Sequence, residues 1–367
     1  MTTVVVSDLH LATRSERDLL RHPQARAALV ERVAGADHVV LLGDVIELRE
    51  APLAVALRGA EPLFRELGEA LGGARVTLVP GNHDHQLADP LIEAHRLDPD
   101  GGSLRLDSAM PAPAEGAVGE LARWLGEPEV HIAYPGVWLR DGVYATHGHY
   151  MDLHGTVPML ERLGAAVSER LVGGLPPGAR TPDDYEKALE PLYSLAFSLA
   201  QSAGPARRLA ASGASVRTYQ RLSRGDGRRG LSALALGGVL LPGVVFALNR
   251  AGLGPLSADL SGPSLRRSAL RGIATALELL GIEPRYAIFG HTHRSGPWPE
   301  DDAAEWTLTG GGQLINAGSW FYEPAFIGTG PGLSPYWPGT CVVVEDEGTP
   351  RLERLLADLP RGMPAAV

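Results

Sequence analysis

Val76-Thr77-Leu78-Val79-Pro80-Gly81-Asn82-His83-Asp84 sets an amide, an imidazole and a carboxylate on consecutive residues directly after a β-branched apolar run. The same arrangement recurs four times. Val4–Val6 runs into Ser7-Asp8-Leu9-His10, and Val39–Leu42 into Gly43-Asp44. Val143–Thr146 runs into His147-Gly148-His149, and Ala287–Phe289 into Gly290-His291-Thr292-His293. The donors counted at these run ends are Asp8, His10, Asp44, Asn82, His147, His291 and His293: two carboxylates, one amide and four imidazoles. Oxygen and nitrogen donors of this kind suit Mn, Fe, Zn, Co or Ni, and they exclude a thiolate zinc site. Seven donors are too many for one tetrahedral ion. They suit two divalent ions that share a carboxylate and a solvent oxygen. Ion pairs roughly 3.5–4 Å apart are a recurrent device for hydrolysing phosphoryl groups, because they acidify a bridging water and clamp the phosphate oxygens.

These donors need elements that bring them together. Continuous apolar runs such as Val76–Val79 are the pattern of strands in a parallel sheet covered on both faces. In open α/β sheets, ligands bind just beyond the carboxyl ends of such strands. Arg17–Ala34 and Pro52–Leu71 carry apolar residues at helical spacing and are expected to cross back between strands as βαβ units. Gly72-Gly73 is a stop signal for the second. Leu87–Leu97 and Val118–Leu125 are expected to be short helices, with residues 101–116 as a surface loop. Val130–Leu139 and Val143–Thr146 form two expected strands around Asp141-Gly142, a strong hairpin signal. Residues 151–270 lack β-branched runs and are expected to be a helical insertion or cap. Within it Thr181 is the expected N-cap, with Pro182 in the first turn. Leu265–Leu280 is the expected return helix, and Trp306–Leu308, Gln313–Ala317 and Cys341–Val344 are the late strands. The catalytic domain is therefore expected at residues 1–150 and 271–358.

The five blocks D-x-H, G-D, G-N-H-[DE], H and G-H-x-H occur in that order, at Asp8–His10, Gly43-Asp44, Gly81–Asp84, His147 and Gly290–His293. Each block alone is a weak signal, but the five together, in order and at strand ends, are very specific. The sequence thereby resembles the calcineurin-like metallophosphoesterase superfamily over residues 1–150 and 280–320. Within it, Ser7-Asp8-Leu9-His10-Leu11 is most similar to the UDP-diacylglucosamine pyrophosphatases of lipid A synthesis, whose substrate is not carried over. The resemblance implies a four-layer α/β/β/α sandwich of two mixed sheets, while the α/β class follows from the pattern itself. It further implies that Asp44 bridges two divalent ions, manganese first among them. Asp8, His10 and His293 would complete one ion, and Asn82, His147 and His291 the other. His83 would stabilise the transition state or protonate the leaving group, and a metal-bridging hydroxide would be the nucleophile. Asp84 is placed beside His83 in the chain as the carboxylate that would fix its tautomer.

Other residues carry weaker signals. Gly148 lets either His147 or His149 approach the ions; His147 is preferred, with His149 behind it. Glu47, three residues after Asp44, could orient a ligand, cap a turn or face solvent. Arg14 and Arg294 each lie a few residues from a donor and could grip a phosphate bidentately. His85 is expected to be exposed or behind the ligands. His154, in the insertion, could contact substrate, and the remaining histidines are expected to be structural or exposed.

The formal charge of −10 argues against a nucleic-acid binder, and no nucleic-acid partner is expected. Cys341 is the only cysteine, so no disulfide framework exists. The N-terminus shows no basic region followed by an apolar signal core, and a cytoplasmic location is the default expectation. The expected substrate is a phosphorylated small molecule or lipid, with a lipid-linked or nucleotide phosphate in view. The alternative is a catalytically silent metal-binding scaffold or regulator, against which every expected ligand position is filled. Leu231–Leu248 has no charged residue. It reads either as a buried hairpin of the cap or as a peripheral contact with the inner face of the membrane. In the second case Arg221, Arg224, Arg228, Arg229 and Arg250 would meet anionic headgroups.

Overall fold

Strand β1 (Thr3–Val6) is buried on both faces, and its valines divide by parity: Val4 and Val6 enter one core and Val5 another. The same division holds in β2 (His38–Leu42) and β10 (Thr340–Val344). Val39, Leu41 and Val343 join the first core, while Val40, Leu42, Val342 and Val344 join the second. Alternate side chains of a strand point to opposite faces, so an unbroken apolar run marks a strand covered on both sides. The first core is completed by helices α1 (Pro23–Val33), α2 (Leu53–Leu71), α3 (Asp89–Arg96) and α4 (Gly116–Leu125), through residues such as Leu29, Phe64, Leu67, Leu91 and Leu121. The second lies against another sheet, which contributes Val143, Ala145, Ile288 and Ile315.

The computed structural model describes residues 1–99, 102–178, 180–202, 241–327 and 334–357. They fall into two units: Met1–His149 with Tyr193–Ala211 and Glu283–Val367, and Tyr150–Leu192 with Ser212–Ile282. The division differs from the expected boundaries at 193–211 and 271–282.

The first unit is mixed α/β with two mixed sheets, as expected. The larger has the order β11 (Arg351–Arg354), β10, β1, β2, β3 (Arg75–Val79), β5 (Glu129–Tyr134), β4 (Ser108–Pro111), in which β1, β2, β3 and β5 run parallel. The smaller has the order β6-β7-β8-β9, made of β6 (Gly136–Arg140), β7 (Val143–Thr146), β8 (Tyr286–Phe289) and β9 (Gln313–Asn316). The hairpin at Asp141-Gly142 forms as expected, joining antiparallel β6 and β7. Val130–Leu139 is not one strand. It breaks at Pro135, which has no N–H to give a ladder, and the chain passes there from the larger sheet to the smaller. Residues 101–116 are not only loop, because β4 (Ser108–Pro111) pairs antiparallel with β5 at the sheet edge, where proline is tolerated. At the other edge β11 (Arg351–Arg354) pairs with β10, a strand the sequence did not suggest. The expected strand at Trp306–Leu308 is instead a 3₁₀ turn over Ala303–Trp306, leaving one bridge at Thr307. The first crossover helix starts only at Pro23, after a 3₁₀ turn over Leu19–Arg21.

The second unit is helical where it is described, with α5 (Leu160–Leu171), the start of α6 (Pro182–Gln201), α7 (Leu241–Arg250) and α8 (Gly262–Leu279). At the start of α6, Asp184 accepts from the Thr181 N–H at 2.8 Å and donates its own N–H to Thr181 Oγ1 at 3.4 Å, a reciprocal cap. Tyr150 stacks on Tyr185 at 4.4 Å and donates to Glu186. His154 is bonded to the Tyr185 hydroxyl at 2.8 Å. Of the uncharged segment, residues 241–248 lie in α7, where Val244 and Phe246 are exposed. Residues 231–240 and Arg221, Arg224, Arg228 and Arg229 lie outside the described residues. No described helix is long and apolar enough to cross a membrane.

Candidate metal centre

Every candidate donor lies in the first unit, at a carboxyl end of a parallel strand or in the loop that follows. Beyond the strands, the first two loops stay zipped: Asp8 N–H donates to Gly43 O at 3.1 Å, His10 N–H to Asp44 O at 2.8 Å, and Leu11 N–H to Val45 O at 3.0 Å. The backbone there is left-handed, with φ of 54° at Asp8, 46° at His10, 51° at Asp44, 66° at His291 and 59° at His293. Residues with a Cβ hold such angles at a cost of about 1–3 kcal/mol each, and only where the surroundings over-determine them. His291 and His293 are therefore on tight turns.

Two glycines make the convergence sterically feasible. A Cβ on Gly81 would overlap Asp44 Oδ1 and come within 2.7 Å of His147 Cδ2. A Cβ on Gly290 would overlap Asp8 Oδ2 and come within 2.8 Å of Ser7 Cβ.

Three overlapping groups have their ligating atoms within 4.8 Å of one another: Asp8–His10–His293, His10–Asp44–His83 and Asp44–His147–His291. Asp44 Oδ2 stands 3.3 Å from His147 Nε2 and 3.8 Å from His10 Nε2, so it joins the His147–His291 side of the cluster to the His10 side. Asn82 Oδ1 is 3.2 Å from His147 Nε2. On the other side, His293 Nε2 is 3.3 Å from Asp8 Oδ1 and 3.0 Å from His10 Nε2.

The hydrogen bonds settle which atoms face inward. His147 Nδ1 is 3.0 Å from the Leu42 carbonyl, which can only accept, so Nδ1 carries a proton. A neutral His147 then turns the lone pair of Nε2 towards the oxygens of Asp44 and Asn82. Lone pair against lone pair is repulsive unless a cation lies between them. Asp8 Oδ1 repeats the theme: it is buried and accepts no hydrogen bond among the described residues. A buried acceptor without a donor costs about 1–3 kcal/mol, and a bound cation removes that cost. The donor set, its tautomers and its orphaned oxygen all fit divalent ions.

Electrostatics point the same way. Burial disfavours charge throughout, but the charges offset one another. His293 and His147 hold Asp8 below the usual carboxylate range. His147, His83 and His10 hold Asp44 well below it. Against burial, Asp44 lifts His147 to about 10, while Glu47 and then Asp44 lift His10 to about 9. The two carboxylates thus hold positive charge at the centre, as protons or as metal ions, and metal binding would release those protons. Burial dominates at His149 and His293, which are both lowered.

His83 is part-exposed at the rim, with its ring 4.8 Å from His10 and edge-on to it. Its Nδ1 lies 2.7 Å from Glu47 Oε2, the same oxygen that lies 3.1 Å from His10 Nδ1. Glu47 is buried and held ionised by His83 and His10 against its burial. The expected pairing of Asp84 with His83 is not formed. Asp84 is fully buried and accepts from the amides of Gly81, Asp44, Val45 and Ile46 at 2.7–3.3 Å, so it ties the Asp44 loop to the Asn82 loop.

Of the two arginines, Arg294 is not free to grip a phosphate as expected. Arg294 is buried, paired bidentately with Asp301 at 3.2 and 2.5 Å, and lies over the Trp306 ring. Arg14 is exposed beyond the first loop, and its guanidinium makes no hydrogen bond or ion pair among the described residues. His149 sits behind His147 at 5.6 Å between rings, with Nε2 2.9 Å from the Tyr134 hydroxyl, which keeps it out of all three groups. His85 is buried against Tyr134 and Tyr193, not exposed. Asn316 was not singled out in the sequence, although it too ends an apolar run. It donates to Gly290 O at 3.0 Å and Thr292 Oγ1 at 2.8 Å, and so holds the turn that carries His291.

Residues 1–165 match the model of the calcineurin-like phosphoesterase family. No curated protein matches the chain. Among solved structures, a dimetal phosphatase from Danio rerio is similar at 15% identity and a TM-score of 0.33, over 93% of this chain and 92% of that one. The family match falls on the segment that supplies Asp8, Asp44, Asn82, His83 and His147, so over residues 1–165 the chain is similar to the calcineurin-like phosphoesterases, a likeness that supports a metal-dependent phosphoric ester hydrolase.

Proposed function

We propose that the chain hydrolyses a phosphate ester or pyrophosphate of a small molecule or lipid, using two divalent ions, manganese being the first expectation. The observation that carries this reading is Asp44 Oδ2, set between the His10 and His147 imidazoles with a triad of donors on either side. Asp8, His10, Asp44 and His293 would hold one ion, and Asp44, Asn82, His147 and His291 the other. When bound, the ions would acidify a water to make the nucleophile and neutralise phosphate charge.

The protein's own residues would do the rest. Glu47, ionised and buried, accepts a hydrogen bond from the Nδ1–H of His83 and holds the ring in place. His83 can then hand its Nε2 proton to the departing oxygen. Asp84 keeps the loops of Asp44 and Asn82 in register through four amides, so the donors are set before substrate arrives.

The test is turnover of a chromogenic phosphodiester and a monoester by manganese-loaded protein, with metal content measured in parallel. Wild type should turn over at least one of them, and Asp44→Asn should lose both bound metal and activity. Full metal occupancy without turnover of either ester would favour the silent scaffold instead. Full occupancy and normal turnover in Asp44→Asn would sink the assignment of its ligand role.

A further inference from the structure

Phe321 is an apolar ring set among the polar groups of the site. Its centroid lies 5.3 Å from that of His10 and 5.7 Å from that of His293, edge-on to both, and the ring is part-exposed. Its neighbours in the chain face elsewhere. Trp320 is fully buried with its indole N–H donating to Thr340 O, and Tyr322 packs edge-on against Trp337. Alternation along an extended segment thus turns Phe321 alone of the three towards the imidazoles.

The placement is fixed by the backbone that carries the donors. Trp320 N–H donates to Asp8 O at 3.0 Å, Tyr322 N–H to Arg17 O at 2.9 Å, and Phe321 itself bridges Asp18. The ring is therefore held relative to Asp8 by main-chain bonds. His10, which it touches, is also the ring against which His83 stands. An apolar face left open beside charged groups gives a ligand something to cover that a bare phosphate cannot.

On the reading of the site as a two-metal phosphoesterase, we propose that Phe321 is a specificity-determining wall of the substrate site, taking an aromatic group esterified to the phosphate. Aromatic pairs add a contribution beyond plain burial that corresponds to roughly two- to tenfold in affinity. The preference should therefore appear as binding discrimination, and in KM more than in kcat.

The experiment measures calorimetric binding of phenylphosphonate and methylphosphonate to the manganese-loaded full chain, with turnover of bis(4-nitrophenyl) phosphate followed alongside. Wild type should bind the phenyl compound about five- to tenfold more tightly. Phe321→Ala should bring the two affinities together while metal content holds, and Phe321→Tyr should keep the preference. Phe321→Leu keeps apolar bulk without an aromatic face; should the alanine variant misfold, loss of the preference in Phe321→Leu supports the proposal and its retention overturns it. A ring that only shields His10 and His293 would leave the phenyl-to-methyl ratio unchanged in Phe321→Ala, and that result overturns the inference. Equal affinities in wild type would also overturn it, with the hydrolase reading untouched. Phosphonate binding without turnover of any phosphoester would instead strike at the hydrolase reading.

Discussion

Glu47 Oε2 stands 2.7 Å from His83 Nδ1 and, from the other side, 3.1 Å from His10 Nδ1. One buried carboxylate thus orients both an imidazole with its Nε2 towards a candidate ion and the imidazole proposed to handle the leaving group. A fold that commits one charge to two rings couples their positions.

His83→Ala should cost about 10²–10⁴ in kcat while sparing metal content, since it removes a proton donor and not a proposed ligand. Glu47→Gln should cost about 10–100-fold in activity, because the amide can still accept a hydrogen bond but carries no charge to hold the ring in place. The His83→Ala loss should be smaller for a 4-nitrophenyl ester, whose leaving group needs no proton, than for an alkyl ester. Equal losses on the two esters would remove His83 as the proton donor.

Gly81→Ala adds one methyl group where Asp44 Oδ1 and the His147 ring already stand. We expect an overpacking cost of about 1–3 kcal/mol and a drop in metal affinity of at least tenfold, with secondary structure retained. Metal content after dialysis, set beside a circular dichroism melt, checks both. Unchanged affinity would mean that the loop moves aside freely.

Arg294 and Asp301 form a bidentate pair with both side chains less than a tenth exposed. Asp301→Ala leaves a buried guanidinium without its partner, and it should destabilise the protein by about 3–5 kcal/mol in denaturant unfolding. Replacing both, as Arg294→Met with Asp301→Ala, should recover much of that loss. Full stability in the single variant would show that the pair is solvated.

His38 provides a pH dependence away from the candidate ligands. It is buried at the start of β2, bonded to Thr77 Oγ1 at 2.8 Å, and burial lowers it from 6.5 to about 4, with Arg75 and His131 adding to the effect. Between those values the unfolded chain binds a proton that the folded one refuses. Stability should therefore be intact above about pH 6.5 and decline as pH falls towards 4, by at most about 3 kcal/mol. Urea midpoints at pH 7 and pH 5 should differ less for His38→Gln than for wild type. Identical acid limbs in the two proteins would exclude His38 as the cause.

The sequence by itself determined the α/β class, the strands that end at Asp8, Asp44, Asn82, His147 and His291, and the hairpin at Asp141-Gly142. Those signals are local. An unbroken apolar run followed by polar donors is written in consecutive residues, and backbone geometry then dictates that the donors stand at a strand end. What tertiary structure decided is the choice of partner. Asp84 is next to His83 in the chain, yet its carboxylate turns to the amides of Gly81, Asp44, Val45 and Ile46. Glu47, 36 residues from His83, takes the imidazole, because parallel pairing lays the β2 and β3 loops side by side. Arg294 goes to Asp301 for a similar reason: once the loop folds back under Trp306, a guanidinium left without a carboxylate would be a buried, unpaired charge. The left-handed backbone at Asp8, His10, Asp44, His291 and His293 was equally illegible. These residue types prefer other conformations in isolation, and only the surrounding sheet ends hold them there.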